Sequence, residues 1–389
     1  MENGGTRSYD LSTSFVRRGY EVEVITTTSE ISGFDGKKWR VEEVDGVTVN
    51  YLYLPYDNSF SSMKRIRVFL LFLWYSLVKL LMTKGDVVLA TSTPLTIGIP
   101  ALLKKMIQGT PYIFEVRDVW PEAVIAIGAI QNKLVQKILY SLEKLIYKSA
   151  VAIVPLSTDM RKSIVSRYPQ FEQKTNVVIE NIAEVNRFQG CTDKILLEGI
   201  VGFKPRFSIL YAGTFGKVNG IHKIIELAEK TLKIDKELVF ILVGSGAEKD
   251  MITKLAQDKN VLNKNVFLLK SISKSELPLW YNAVSMGASF VIDIRELWAN
   301  SANKFFDTLA AGKPILINHE GWQAQAICSS NIGYILPFNI TEKIAQSFVD
   351  YSLNSKLIAE QQRNALKLAE DKYSLQRATE NYLTVFGNI

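Results

Sequence analysis

Histidine and cysteine are almost missing from this chain of 389 residues: His222, His319, Cys191 and Cys328 are all it has. They form no His/Cys cluster, which excludes a structural zinc site of the usual kind, and the bland reading of all four is structural or surface. Two cysteines make no disulfide framework. With no secretory signal, they imply a reducing, cytosolic setting. A spanning helix is missing too. The uncharged run Val68–Val78 (VFLLFLWYSLV) has eleven residues, whereas a bilayer needs about 20. No Asp-x-Asp sequence is present to hold a divalent ion. Gly244-Ser245-Gly246 lacks the third glycine of a dinucleotide fingerprint. Internal repeats, low-complexity tracts and nucleic-acid module signatures are absent as well, so no nucleic-acid partner is expected.

What is there reads as globular. Hydrophobic residues make up 47% and charged residues 22%, and the length suits two domains with ample core. The formal charge of +7 is local. Residues 60–148 hold 12 Lys/Arg against 5 Asp/Glu, and the rest of the chain balances at 34 against 34. Such a region suits an anionic partner, and a membrane surface is the expectation.

Along the chain, a glycine turn at residues 2–6 precedes a helical pattern through Tyr9, Leu11, Phe15 and Val16, then a strand at Tyr20–Thr27. In α/β proteins such a turn normally follows a strand. Only Met1 and Glu2 precede it here, so the first strand of the sheet is expected to be missing, leaving neighbouring strand edges open. Residues 28–58 form a loop and a short hairpin. Ser59–Lys84 is a helix whose apolar core is either buried or laid on a membrane, with Lys64, Arg65, Arg67, Lys79 and Lys84 at its ends.

Strands follow at Asp86–Ala90, Tyr112–Val116, Val151–Pro155 and Asn176–Ile179, with a helix near Leu95–Ile107. Asn132–Lys148 is amphipathic, with Leu134, Val135, Ile138, Leu139, Leu142, Leu145 and Ile146 on one face. The strand–helix rhythm weakens from Ala183 to Pro205. A second set then runs through strands Phe207–Ala212, Leu238–Val243, Asn265–Leu269, Ala288–Ile292 and Ile315–Ile317, followed by a helical tail from Thr341. The expected fold is α/β with a doubly wound sheet in each half, in domains 1–185 and 186–370, and with 371–389 as a helix packing back on the first domain.

The informative polar residues fall at strand exits, where open parallel sheets bind ligands. Arg117-Asp118-Val119-Trp120-Pro121-Glu122 follows one strand, and Gly213-Thr214-Phe215-Gly216-Lys217 follows another. The glycines let backbone amides approach an anion, and Lys217 adds a charge. In WANSANKFFDTLAAGKP (298–314), Ser301 reads as an N-cap, Ala302–Ala311 as helix, Gly312 as a left-handed stop and Pro314 as a barrier. The start of that helix suits a phosphate. Asn303, Lys304 and Asp307 share one face, which leaves Asp307 within reach of ribose hydroxyls.

These stretches resemble the bacterial family-4 retaining glycosyltransferases of the GT-B fold, in a branch similar to N-acetylfucosaminyltransferases of O-antigen and capsule synthesis. GGTRSYDLSTSFVRRGYEVEVIT (4–26), ATSTPLTIGIPALL (90–103), FEVRDVWPEAV (114–124), LYAGTFGKVNG (210–220) and SANKFFDTLAAGKPIL (301–316) carry the resemblance over nearly the whole chain. It implies two Rossmann-like domains facing a cleft, a nucleotide-sugar (UDP-linked by preference) held by the C-terminal domain, and a polyprenyl-diphosphate-linked acceptor held by the N-terminal one. It also implies a cytoplasmic enzyme on the inner face of the membrane, working without metal or other cofactor.

Position by position, Gly4 and Gly5 match the loop closing over the phosphates. Asp307 matches the acid that bonds the ribose, Ser301 the phosphate-binding helix start, and Lys217 the loop of basic phosphate ligands; Thr214, Gly216, Asn303 and Lys304 are read with them as donor-binding. Arg117 and Asp118 match a strand end where many relatives carry His-Asp near the transferred sugar; with Lys217 they are the catalytic candidates, and Trp120 and Glu122 are the acceptor-binding candidates. Many members carry two glutamates eight apart. Here the second is Asp307, Ala299 stands eight before it, and Glu296 is off register. Two rival readings stay open: a nucleotide-sugar 2-epimerase of the same architecture, and an inactive, truncated nucleotide-sugar-binding protein.

Overall fold

The computed structural model describes residues 7–56, 60, 62–92, 94–193 and 195–389, with the backbone alone at Ser62. The chain divides into two compact units, residues 7–179 with 378–389 and residues 180–377. Gly4 and Gly5 lie outside the described residues, as do Ser59 and Ser61 at the expected start of the long helix.

In the N-terminal unit, α1 (Arg7–Arg17) leads into β1 (Glu23–Thr28) and the hairpin β2 (Trp39–Val44) and β3 (Val47–Tyr53). Helix α2 (Ser62–Met82), β4 (Val88–Thr91), α3 (Gly98–Gln108), β5 (Tyr112–Val116), α4 (Glu122–Ala126), α5 (Lys133–Ser149), β6 (Ala152–Pro155) and α6 (Thr158–Arg167) follow. Its strands form two three-stranded sheets, ordered β1-β3-β2 and β4-β5-β6, and no ladder joins β1 to β4 among the described residues. The strand expected at Asn176–Ile179 is not one. Those residues follow a 3-10 turn and make a single sheet-like bond, from the Ile179 amide to the Pro155 carbonyl at 3.1 Å.

Two helices of this unit keep apolar residues in solvent. Along α2, Ile66, Leu70, Trp74, Val78 and Met82 make an exposed row at a spacing of four, with Leu70 62% and Trp74 60% exposed. The opposite side is tied to α3: the buried Lys104 ammonium donates to the Leu80 and Thr83 carbonyls at 2.8 and 2.6 Å, capping the end of α2. The long helix is therefore neither buried nor free. It is anchored on one side and apolar on the other. On α5, capped by Asn132, Leu134, Val135, Ile138 and Leu145 are exposed and only Ile146 of the expected apolar face is fully buried. Among the described residues no helix is long and apolar enough to cross a membrane.

The C-terminal unit holds α7 (Val185–Gln189), α8 (Glu198–Val201), β7 (Phe207–Ala212), α9 (Ile221–Leu232), β8 (Leu238–Val243), α10 (Lys249–Asp258), β9 (Val266–Leu269) and α11 (Leu277–Ala283). After these come β10 (Met286–Ser289), α12 (Asn303–Ala310), β11 (Ile315–Ile317), α13 (Trp322–Ser330), β12 (Gly333–Ile335), α14 (Glu342–Leu353) and α15 (Ser355–Asp371). Helix α16 (Leu375–Phe386) ends the chain, and its residues from 378 on belong to the first unit.

The six strands form one parallel sheet in the order β12-β11-β10-β7-β8-β9. Its central strands read as unbroken apolar runs because both faces are covered. Val239, Ile241 and Val243 of β8 face the cluster with Phe305, Phe306 and Leu309 of α12. Phe240 and Leu242 face the cluster with Ile221, Ile224 and Ile225 of α9. The order runs outward in opposite directions from β7 and β10, so the switch point of the sheet, where open α/β sheets bind ligands, lies between their carboxyl ends.

Candidate donor and acceptor sites

Two segments meet at that switch point: the loop after β7 and the start of α12. The loop is pinned from below. Tyr211 Oη and Asn219 Nδ2 both donate to the Thr214 carbonyl at 2.8 Å. The Phe215 amide donates to the Ser245 carbonyl at 2.8 Å. A β-carbon on Gly244 would stand 1.9 Å from the Gly213 carbonyl oxygen, so glycine is what lets the β7 and β8 exits touch. Gly216 and the exposed Lys217 close the loop into a 3-10 turn.

Helix α12 begins one residue later than the sequence suggests. Ala302, not Ser301, is its N-cap, and no side chain caps it. Asn181 is the reason: its amide donates to Ser301 Oγ at 3.4 Å, and its Nδ2 donates to the Ser301 carbonyl and to Asn303 Oδ1. The Ser301 hydroxyl is thus drawn away from the helix, whose first-turn amides are left without a side-chain acceptor. Trp322 Nε1 and Gln323 Nε2 hold the Asn300 carbonyl at 2.9 and 3.1 Å. The other end follows expectation: Gly312 is left-handed (φ 63°), with its amide on the Leu309 carbonyl at 2.9 Å.

Lys304 is half-buried, with its ammonium 5.1 Å from the centre of the Tyr211 ring. No ion pair holds it among the described residues. Burial pushes its ammonium down to about 8, against the pull of Asp307. Asp307 is pushed up to about 6 by burial, with the Arg187 guanidinium opposing the rise. Arg187 Nη2 stands 3.3 Å from Asp307 Oδ1, and its Nη1 stands 3.3 Å from Glu184 Oε1. The result is a sheet end that offers helix amides, an ammonium with no ion pair among the described residues and a carboxylate one turn on, a set that can hold a phosphate and a diol together.

In the N-terminal unit the exits of β4 and β5 are joined by Ser92, whose Oγ accepts from the Arg117 amide at 3.0 Å. Arg117, Asp118 and Trp120 are half-buried there. Glu122 turns inward: Arg167 Nε pairs with its Oε1 at 2.8 Å, and Ser163 Oγ donates to its Oε2 at 2.6 Å. Arg167 also pairs with the buried Glu143.

Beneath Arg117 lies Glu115, 2% exposed in the middle of β5. Arg7 Nε and Nη2 donate to its Oε2 at 3.0 and 2.8 Å, Thr91 Oγ1 donates to its Oε1 at 2.6 Å, and the Tyr382 hydroxyl donates to it as well. Burial alone would push this carboxyl up, but Arg7 and its hydrogen bonds outweigh that and hold it below its ordinary value. One buried carboxylate therefore ties α1, β4, β5 and α16 together.

Sequence reading missed Asn181, Glu184, Arg187, Trp322 and Gln323. Asn181 and Arg187 find partners about 120 residues away, and Glu184 pairs with Arg187 three residues on. Glu115 did carry a signal, a lone acid inside an otherwise apolar strand. Among the described residues no group of three or more His, Cys, Asp or Glu is placed to hold a metal ion.

Residues 4–181 match the Glycosyl transferase 4-like domain family, and residues 199–368 match Glycosyl transferases group 1. The chain is 23% identical over 271 residues to the putative colanic acid biosynthesis glycosyl transferase WcaI of Escherichia coli (strain K12), covering 65% of each. Its fold is similar to sucrose-phosphate synthase from Thermosynechococcus elongatus, with a TM-score of 0.74 and 13% identity over 99% of this chain and 93% of that one. It is also similar to Anabaena HepE in complex with UDP and glucose, with a TM-score of 0.64 and 14% identity over 95% of this chain and 100% of that one.

Proposed function

Since the chain belongs to the glycosyltransferases of the GT-B fold, with a 4-like domain ahead of a group 1 domain, we propose that it moves a sugar from a UDP-linked donor to a lipid-linked saccharide. The sugar is an N-acetylated amino sugar, and the product belongs to a surface polysaccharide of the O-antigen or capsule type. The observation that carries the reading is the start of α12, where the Lys304 ammonium has no ion pair among the described residues and Asp307 lies one turn on. WcaI, named for colanic acid biosynthesis, and HepE, solved with UDP and glucose, support the polysaccharide and the nucleotide respectively.

In this reading the α12 amides and Lys304 face the diphosphate, Lys217 lies over it from the β7 loop with Thr214 and Gly216, and Asp307 accepts from the ribose hydroxyls. The bond from the anomeric carbon to the phosphate oxygen breaks. The acceptor hydroxyl adds on the same face, and its proton passes to the departing phosphate oxygen, so configuration is retained. Charge growing on that phosphate meets fixed donors, which lowers the barrier without solvent reorganisation. No step uses a metal. Arg117 and Asp118 orient the reacting groups, and Trp120 shapes the acceptor side, with Glu122 held inward by Arg167 and Ser163.

The apolar row on α2 and the exposed Lys64, Arg67 and Lys84 favour attachment to the anionic inner leaflet. The test is product analysis in EDTA, with a panel of UDP-sugars and a polyprenyl-diphosphate-linked saccharide. Addition of one sugar with the donor's anomeric configuration supports the reading. A donor epimerised at C2 without transfer, or a donor left intact, contradicts it.

A further inference from the structure

Helix α7 has no part in the scheme so far, yet it sends a charge to the ribose acid. Arg187 Nη2 lies 3.3 Å from Asp307 Oδ1, Nη1 lies 3.3 Å from Glu184 Oε1, and the guanidinium covers the Phe188 ring at 4.8 Å. The three side chains are only 17 to 23% exposed. Arg187 Nε is buried with no hydrogen-bond partner among the described residues. The guanidinium is therefore held by the ring stack and by two carboxylates, one on each side.

We infer that Arg187 is a positioning residue for nucleotide binding: it fixes the Asp307 carboxylate where it accepts from the ribose hydroxyls, with Glu184 as the opposing weight. The inference rests on the reading of Asp307 as the ribose ligand. Four charged groups face Asp307. Arg187 and Lys274 favour its ionised form, Lys304 adds to them, and Glu184 disfavours it. Tyr281 of α11 also feels the carboxylate. Arg187 is the largest of the charge effects, and only burial outweighs it. Lysine could supply the charge but not the fork that engages two carboxylates at once.

Remove the guanidinium and Asp307 keeps its burial while losing the chief force that keeps it ionised. Its proton is then lost only at higher pH. Remove Glu184 and the reverse follows, because a like charge leaves. The two variants must move the acid limb of nucleotide binding in opposite directions, which a merely structural role for Arg187 would not do.

The test is calorimetric titration of UDP from pH 5 to 8 against the intact protein and its variants, with thermal melts as a folding control. Wild type should lose affinity below about pH 6. Arg187→Gln should bind about tenfold more weakly at pH 7, with its acid limb moved upward. Glu184→Gln should move the limb downward, and Arg187→Lys should recover much of the affinity. Should Arg187→Gln fail to fold, Glu184→Gln and Arg187→Lys still report. If Asp307→Asn weakens UDP while the Arg187 and Glu184 variants leave affinity and limb in place, the inference fails and the donor-site reading stands. If UDP does not bind wild type, or binds Asp307→Asn equally well, the donor-site reading fails and takes the inference with it.

Discussion

The Cε atom of Lys304 lies 2.4 Å from where a β-carbon on residue 213 would stand. The glycine at the β7 exit and the lysine of α12 therefore share one space, and the proposed donor site depends on both. Gly213→Ala should displace the Lys304 ammonium from the Tyr211 ring and lower kcat, and it should lower the melt as well because residue 213 has φ 159°. About tenfold is expected, the usual scale for one misplaced charged contact. Steady-state kinetics with a melt on the same sample checks it.

Asp307 and Lys217 should separate in kinetics. Asp307→Ala removes ribose contacts made equally in ground and transition states, so donor KM rises strongly. Lys217→Ala removes a charge needed as the phosphate departs, so kcat falls with little change in KM. Unchanged kinetics in both would remove the site assignment.

Asp307 also carries a stability consequence. Its folded-state value, about 6, lies above its ordinary one of 3.8. The unliganded protein is therefore favoured at low pH by this group and loses that contribution as pH rises from about 4 to 6. Asp307→Asn should melt no lower than wild type at pH 7 while binding UDP more weakly, as expected where burial serves binding rather than folding. A melt clearly below wild type would contradict this.

Glu115 should behave in the opposite way. Glu115→Ala removes the carboxylate that pairs with the buried Arg7 guanidinium and should destabilise the N-terminal unit by about 3 to 5 kcal/mol. Its carboxyl is held below its ordinary value, so its contribution is present above the unfolded-state value and is lost as pH falls through the folded one. Urea unfolding of wild type and variant at pH 7 and at acid pH checks both the size and the sign.

The exposed row on α2 should govern attachment to lipid. A Leu or Trp side chain moved from water into the interface contributes about 2 kcal/mol, and a nearby Lys or Arg about 1 kcal/mol. Leu70→Ser with Trp74→Ser should abolish flotation with anionic vesicles at low salt while leaving the melt unchanged, since both residues are exposed. No flotation of wild type would contradict the membrane reading.

The repeating apolar strands of the C-terminal unit were legible because a sheet covered on both faces leaves little else to write: β7, β8 and β11 fall where the runs predict. The end of α12 was legible for a local reason, the Gly312 stop. Its start was not. Asn181 takes the groups of Ser301 from 120 residues away, and no local rule for a helix cap contains that contact. Helix α13 and β12 were overlooked because their residues, WQAQAICSS and GYI, show weak periodicity and few apolar positions. The strand read at Asn176–Ile179 shows the converse: an apolar pattern earns no ladder where one amide alone meets a neighbour. On α5 the amphipathic pattern was real, but it did not say that water would meet Leu134, Ile138 and Leu145.

The most direct test of the donor site is UDP affinity between pH 7 and 9.5, measured by calorimetry in wild type and in Lys304→Met. Lys304 loses its proton near 8, so wild-type affinity should fall through that range, and the variant should bind weakly with no such fall. Equal affinity in the two proteins, flat across the range, would contradict the claim that this ammonium holds the diphosphate.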